Sequence, residues 1–158
     1  MQKVVTCLGF NNNAEEAINF YTSIVKNSKI LTVSRNGDAG PGPKGSLLAA
    51  TFTLDGQEFM ALNGGPSFTF SPGLSIVVRC DDQAEIDHLW EKLLDGGGQE
   101  VQCGWVTDRF GVSWQIIPRA LGEWMSGGPA KAQSVMQALL KMKKLEIAKL
   151  KQAYETVC

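Results

Sequence analysis

The feature that most constrains the fold of this chain is an internal repeat. The hydrophobic pattern predicts a strand, a helix and three strands, and the same order then begins again. When the second half is laid on the first without a gap, Asn13 falls on Asp82 and Thr6 falls on Ser75. We therefore predict an α+β fold in which paired βαβββ modules form one domain over residues 1–118.

The first module, residues 1–63, is predicted to hold one helix and four strands. Asn13 can cap the helix, and Glu16, three residues later, completes a capping-box pattern. The last two strands meet at Asp55-Gly56, a dipeptide favoured in tight hairpins. The predicted strands cover residues 3–9, 28–35, 46–54 and 57–63.

The second module, residues 73–118, repeats this order. Asp82 is the predicted helix cap, Glu85 lies at the capping-box position, and Gly96–Gly98 end the helix. The predicted strands cover residues 73–80, 99–103, 104–108 and 112–118. Two such modules are expected to curl their sheets around a shared cleft, where a ligand can bind.

Residues 119–158 form a C-terminal extension with a different pattern. Pro129 suits the first turn of a helix and strong helix formers follow it, so one long helix is predicted over 129–155. The extension carries seven Lys and Arg residues against three Asp and Glu residues. A basic arm over an acidic body, its own or a partner's, is expected. Because so long a helix exceeds a small domain, we also expect a homodimer.

Composition disfavours several functional classes. A net charge of −1 and a pI of about 5.8 argue against a nucleic-acid partner. The chain has no apolar run of membrane-spanning length and no signal-peptide pattern, so a cytoplasmic location without a membrane partner is expected. The only histidine, His88, is predicted at the surface of its helix. The four cysteines lack metal or redox spacing and are predicted to be reduced and mostly buried.

Three segments carry a resemblance to a known family. They are GWVTDRFGVSWQIIP at 104–118, FNNNAEEAINFY at 10–21 and FMALNGGPSF at 59–68. The chain resembles the PhnB-like branch of the glyoxalase/bleomycin-resistance superfamily, also called the vicinal oxygen chelate (VOC) superfamily. Many members of this branch are described as demethylubiquinone methyltransferase-like. The resemblance covers nearly the whole chain, the C-terminal helix included, and it implies the same paired modules as the repeat.

The resemblance also implies where a metal would bind. In metal-dependent members of the superfamily, four strand positions supply His, Glu or Gln ligands to a divalent ion. These positions fall on Thr6, on Phe59 or Ala61, on Ser75 and on Gln115. Only Gln115 is one of those ligand types, and hydroxyl groups are weak neutral ligands. We therefore predict no metal site and no cofactor. A Rossmann-type methyl-donor site is not expected, because neither Gly64-Gly65 nor Gly96–Gly98 joins a strand to a helix.

The candidate ligand-binding residues lie on predicted strands that face the cleft. They are Thr6, Asn63, Ser75, Arg79, Trp105 and Gln115. Trp105 can offer an aromatic wall and Arg79 can anchor an anion. Three of the candidates also have a structural alternative. Gln115 could be an amide satisfied by its neighbours, Arg79 could reach solvent, and Asn63 could make a turn.

Other residues near these candidates are assigned structural roles. Trp114 alternates with Gln115, so it is predicted to face the helix and fill the core. Asp108 and Arg109 are predicted to form a solvated turn pair. Gly111 is predicted to supply the positive φ angle of that turn.

Three functional hypotheses follow from the sequence. In the first, the protein binds a small organic molecule in the cleft without metal. In the second, it is an enzyme acting on a small oxygenated substrate, with Gln115, Thr6, Ser75 and Arg79 as polar contacts. No catalytic residue is assigned, because no His or carboxylate falls on the candidate positions. In the third, it is a dimeric interaction module without a ligand.

Overall fold

The computed structural model describes all 158 residues, and the chain divides into two compact units, Met1–Thr69 and Phe70–Cys158. Each unit contains one four-stranded sheet and one helix in the predicted order. The C-terminal extension belongs to the second unit.

The first unit is a βαβββ module, as predicted. Its elements are β1 (Thr6–Phe10), α1 (Ala14–Ile24), β2 (Lys29–Arg35), β3 (Leu47–Leu54) and β4 (Gln57–Asn63). The strand order is β1-β4-β3-β2, with β1 parallel to β4 and the other pairs antiparallel. Asp55 and Gly56 turn the β3–β4 hairpin with φ angles of 48° and 79°, which confirms the prediction from this dipeptide.

One face of the first sheet packs against α1 and forms the core of the unit. Alternation along β1 buries Leu8 and Phe10, and the rings of Phe52 and Phe59 stack 5.5 Å apart beside them. The buried residues of α1 recur at helical spacing and are Ala14, Ala17, Ile18, Tyr21 and Ile24. Burial of this apolar stripe holds the helix on the sheet.

The second unit repeats the module. Its elements are β5 (Ser75–Cys80), α2 (Gln83–Leu94), β6 (Gln99–Glu100), β7 (Trp105–Thr107) and β8 (Ser113–Pro118). The strand order is β5-β8-β7-β6, and only β5 and β8 are parallel. Trp114, Ile116 and Val106 are fully buried on the face that packs against α2, which confirms the core position predicted for Trp114. His88 on α2 is exposed, as predicted.

The two units differ in the connection between the first strand and the helix. Residues 11–13 separate β1 from α1, whereas only residues 81–82 separate β5 from α2. The extra residue shifts β1 by one position, so Thr6 corresponds to Ile76 and not to Ser75. The ungapped superposition of the two halves is therefore wrong in the first strand. Because side chains alternate along a strand, this shift puts Thr6 on the opposite face of its sheet.

The C-terminal extension is helical, as predicted, and the structure divides it into three helices. They are α3 (Leu121–Met125), α4 (Pro129–Leu139) and α5 (Ile147–Glu155). Helix α5 returns antiparallel to α4, so that Ser134 Oγ donates to the Ala153 carbonyl at 2.8 Å and the Lys131 ammonium lies 4.4 Å from the Tyr154 ring centre. The extension thus forms a helical hairpin in place of one rod over 129–155.

The basic hairpin is attached to the acidic part of its own unit. Arg119 pairs with Asp81 at 2.8 Å and Lys144 pairs with Asp87 at 2.9 Å. The acidic body expected under the basic arm is therefore the chain's own. The argument for a homodimer from helix length no longer applies to a folded hairpin, and dimerisation stays a prediction.

Candidate functional site

The open face of the second sheet, opposite α2, carries a hydrogen-bonded pair of polar side chains. Gln115 lies in the middle of β8, between β5 and β7. Its Nε2 donates to the Ser75 hydroxyl oxygen at 3.0 Å. Both side chains are only half-buried. The amide oxygen of Gln115 and the O–H group of Ser75 can still bond a molecule that covers this face.

Trp105 lies directly opposite Gln115 on the neighbouring strand. The Cα pairing of β7 with β8 matches these two residues, and that of β5 with β8 matches Val77 with Gln115. Trp105 is half-buried and Val77 is 45% exposed. The middle of the open face therefore combines an aromatic ring, an aliphatic side chain and an amide, which suits a planar organic group.

Arg79 supplies the positive charge of this face. It is exposed and lies opposite Ile117, two residues beyond the Val77–Gln115 pair. Four of the six predicted candidates, Ser75, Arg79, Trp105 and Gln115, thus share one face of one sheet. Alternation along β5 and β8 predicted the shared face of Ser75, Arg79 and Gln115 correctly.

The carboxylate of Asp108 is buried and holds the turn between β7 and β8. Asp108 is only 3% exposed, and it accepts from the backbone N–H groups of Phe110 (2.8 Å) and Val112 (3.0 Å) and from Trp114 Nε1 (2.9 Å). The expected solvated pair with Arg109 is therefore wrong. An Asp at the start of a tight turn was the signal for this role, because its side chain can bond the backbone two residues on. Gly111 has the predicted positive φ of 91°.

Thr6 and Asn63 lie in the first unit, on the face of its own sheet that packs against α1. Thr6 pairs with Phe59 on the face that packs against α1, and the one-residue shift in β1 explains why this is not the face that the sequence predicted. The Asn63 side chain accepts from Ala14 N at 2.9 Å and donates to Leu47 O at 3.0 Å. It also lines a cavity of about 270 Å³, but its amide is already committed to the backbone.

The positions implied for a divalent ion do not form a donor set. Phe59 and Ala61, the two alternatives for one position, are both buried against α1 together with the face that bears Thr6. Ser75 and Gln115 offer one hydroxyl and one amide, which are neutral donors. No group of three or more His, Cys, Asp or Glu side chains is placed to hold a metal ion. These residues do not fit a metal of the superfamily type.

The four cysteines are free thiols. Burial, followed by the carboxylate of Glu85, raises the pKa of Cys80 to about 12, and burial also raises the pKa of Cys7. Cys80 is therefore protonated at neutral pH and is a poor nucleophile. Cys7 and Cys158 are exposed, which differs from the mostly buried thiols expected. None of the helices combines the length and the apolar character needed to cross a bilayer.

Comparison with known proteins places the chain in a family. A profile of the family described as 3-demethylubiquinone-9 3-methyltransferase matches residues 2–117. A PhnB protein from Bacillus cereus is 41% identical, with a TM-score of 0.69 over 74% of this chain and 99% of that chain. A Pseudomonas aeruginosa protein is 26% identical, with a TM-score of 0.61 over 75% of this chain and 98% of that chain. No curated protein matches the chain.

A more distant structure shows the fold alone. The fosfomycin resistance protein from Mesorhizobium loti is 14% identical, with a TM-score of 0.53 over 78% of this chain and 97% of that chain. The family match ends at residue 117, so the C-terminal extension, which the resemblance was expected to include, lies outside it. The chain belongs to the PhnB-like family described as 3-demethylubiquinone-9 3-methyltransferase.

Proposed function

We propose that the protein binds a small organic molecule on the open face of the second sheet, without a metal ion. The observation that carries this proposal is the Gln115–Ser75 pair, joined at 3.0 Å, directly opposite the half-buried ring of Trp105. An aromatic ring of the ligand would stack on Trp105, and a hydroxyl or carbonyl group would bond the amide and hydroxyl. The cleft expected between the two modules stays a prediction.

An enzymatic role is the alternative, and these side chains support it less well. General acid–base catalysis needs a titrating group within hydrogen-bond reach of the substrate. Ser75 and Gln115 carry no titrating group near neutral pH, and a guanidinium group is not a proton-transfer group in proteins. The description of the family as a methyltransferase does not assign a role to any residue of this face. Binding is therefore the function that the site chemistry favours.

A fluorescence titration tests the binding proposal. Methyl 4-hydroxybenzoate serves as the probe, because it joins a planar ring to a hydroxyl group. We expect it to quench tryptophan emission, and we expect Trp105→Phe to remove most of that quenching. Gln115→Ala should weaken binding about threefold to tenfold, the value of one or two hydrogen bonds. Gln99→Ala, an exposed glutamine on β6, is the matched control.

Three outcomes would contradict all or part of the proposal. Quenching that persists in Trp105→Phe would put the ligand elsewhere. An absence of any response, to this probe and to a panel of other aromatic compounds, would favour an interaction module without a ligand. A large rise in melting temperature with a divalent cation would overturn the metal-free part of the proposal.

We also propose a cytoplasmic location, supported by four free cysteines, which suit a reducing compartment.

A further inference from the structure

The C-terminal hairpin reaches one end of the candidate site. Ile117 follows Gln115 by two residues on the open face of β8, and Cys103 precedes Trp105 by two residues. Both side chains pack against the buried apolar cluster of the extension. The cluster consists of Trp124, Val135, Leu139, Met142, Leu145 and Leu150. The hairpin therefore abuts the Ile117 end of the open face, while the Ser75 end carries no part of this cluster.

The segment between α4 and α5 is bonded directly to the turn that precedes Trp105. Cys103 N donates to the Met142 carbonyl and Gly104 N donates to the Lys143 carbonyl, each at 2.8 Å. Gly104 has a φ of 85°, and a Cβ on it would lie 3.0 Å from the Leu145 side chain. A side chain at this position would be strained by the positive φ angle and would crowd Leu145 and the Ile116 carbonyl. Two backbone hydrogen bonds therefore join the hairpin to Cys103 and Gly104, the two residues that precede Trp105.

Gln83 of α2 fixes the other side of the same segment. Its Oε1 accepts from Ile147 N at 2.8 Å, and its Nε2 donates to the Leu145 carbonyl at 2.9 Å. The same Nε2 also donates to Asp87 Oδ1 at 3.0 Å, and Asp87 holds Lys144. One amide thus satisfies two backbone groups, two residues apart, where the bend leads into α5. The segment is held firmly on two elements of the unit.

We infer that the hairpin is a specificity element, an end wall that limits how far a ligand extends beyond Gln115 along β8. The inference rests on the proposed function, since a wall matters only if the face binds a ligand. Residues two apart on one strand face are about 7 Å apart, so the wall at Ile117 begins one such step from Gln115. Ser75 lies at the end of the face away from Ile117, so a ligand whose hydroxyl bonds Ser75 and Gln115 would extend its tail past Arg79 toward the wall.

The wall is made by residues outside the shared part of the family. The family match ends at residue 117, and the Bacillus cereus relative is covered almost entirely by 74% of this chain. The proteins share the sheet, whereas the cluster that packs on Ile117 belongs to the extension. The limit on ligand length is therefore specific to chains that carry such a hairpin.

A series of alkyl 4-hydroxybenzoates of increasing chain length tests the wall. With its hydroxyl on Ser75, which lies two residues further from the wall than the Val77–Gln115 pair, the methyl ester fits before the wall, whereas the hexyl chain meets it. In the unmodified protein we expect the hexyl ester to bind at least about tenfold more weakly than the methyl ester. In Met142→Ala, which shortens a buried side chain of the cluster, the two affinities should come within about threefold. Leu140→Ala, on the same segment but 61% exposed, is the matched control.

Each outcome has a defined meaning. Circular dichroism and the methyl-ester affinity report whether Met142→Ala is folded, and Leu145→Val is a milder second variant of the same cluster. Hexyl and methyl esters that bind equally well to the unmodified protein would overturn the wall while leaving the binding proposal intact. An unchanged length limit in both variants would do the same. If no ester binds, the proposed function fails and the wall fails with it.

Discussion

At the scale of single residues, the candidate site depends on a buried carboxylate that never faces it. Asp108 accepts three hydrogen bonds, two from the turn backbone and one from the indole of Trp114. Trp114 precedes Gln115 on β8, so the turn and the core fix the position of the amide on the open face. Hydrogen bonds to a carboxylate are stronger than those between neutral groups, so these three bonds hold the buried turn firmly.

We expect Asp108→Asn to destabilise the protein by about 2 kcal/mol. The asparagine amide replaces one acceptor oxygen with an N–H₂ donor, so at least one of the groups that donate to Asp108 loses its acceptor. The free energy of unfolding in urea measures this change. Asp38→Asn is the matched control, since Asp38 is exposed and pairs only with exposed Lys44; its cost should be below about 0.5 kcal/mol. A cost for Asp108→Asn as small as that of the control would contradict the role of the carboxylate.

The thiols give a second prediction at this scale. Burial raises the pKa of Cys80 to about 12, and the residue is 1% exposed, whereas Cys158 is exposed. At pH 8 we expect a disulfide reagent such as DTNB to label Cys158 in the folded protein and Cys80 only in urea. Peptide mass spectrometry identifies the labelled sites. Rapid labelling of Cys80 in the folded chain would show that this thiol is accessible and ionised.

The faces of the candidate residues could be predicted wherever the strand register was right. Alternation along β5 and β8 placed Ser75, Arg79 and Gln115 together, because a strand has a period of two. Thr6 was misplaced because one additional residue before α1 reverses the facing of the whole of β1. Nothing in the apolar pattern of a five-residue strand reports such an insertion, since both faces of β1 contain small or apolar residues.

At the scale of elements, helices α1 and α2 begin differently, although the sequence predicts a side-chain cap for both. Asp82 accepts from Glu85 N at 2.8 Å, which confirms the predicted cap of α2, and Glu85 accepts at 2.8 Å from Asp81 N, one residue before the cap. Asn13 makes no side-chain cap bond, and the prediction for α1 is wrong in this respect. Asn63, from the end of β4, bonds the Ala14 N–H of α1 in its place.

Alanine substitutions should separate these two ways of starting a helix. Asp82→Ala removes a cap bond and should cost about 1 kcal/mol, whereas Asn13→Ala should cost less than about 0.5 kcal/mol. Asn63→Ala should cost more than Asn13→Ala, because it leaves both Ala14 N and Leu47 O without their side-chain partner. Urea unfolding measures all three. Equal losses for Asn13→Ala and Asp82→Ala would contradict this assignment.

The C-terminal extension shows where local preference stops being informative. Residues 129–155 are mostly helix formers, and both α4 and α5 lie within the predicted span. The bend at 140–146 comes from distant partners: Met142 and Leu145 are buried in the cluster, and Gln83 bonds the backbone around the bend. A contact with a residue some sixty positions away in the chain leaves no mark on local periodicity.

At the scale of the whole molecule, charge is divided between an acidic majority and a basic extension that meet through defined pairs. The pKa of Asp87 is lowered by its hydrogen bond from Gln83 and by Lys144, so the folded state favours its charged form. Lys144 is 40% and Asp87 49% exposed, so each pair contributes less than about 1 kcal/mol. Hairpin attachment therefore relies on the apolar cluster, and the charges modulate it.

This division predicts how stability should change in acid. Because the folded pKa of Asp87 is lowered, its contribution is present above the ordinary aspartate value of about 3.9 and is lost as pH falls through the folded value. We expect the gap in unfolding free energy between the unmodified protein and Asp87→Asn to be constant from pH 7 to pH 5 and to close below about pH 3.9. One molar NaCl should narrow the gap at pH 7, because exposed charges are screened. The matched variant Asp38→Asn, whose carboxylate lies far from the hairpin in sequence, controls for general acid effects. A gap that persists unchanged at pH 3 would mean that the asparagine acts through packing at Gln83 rather than through charge.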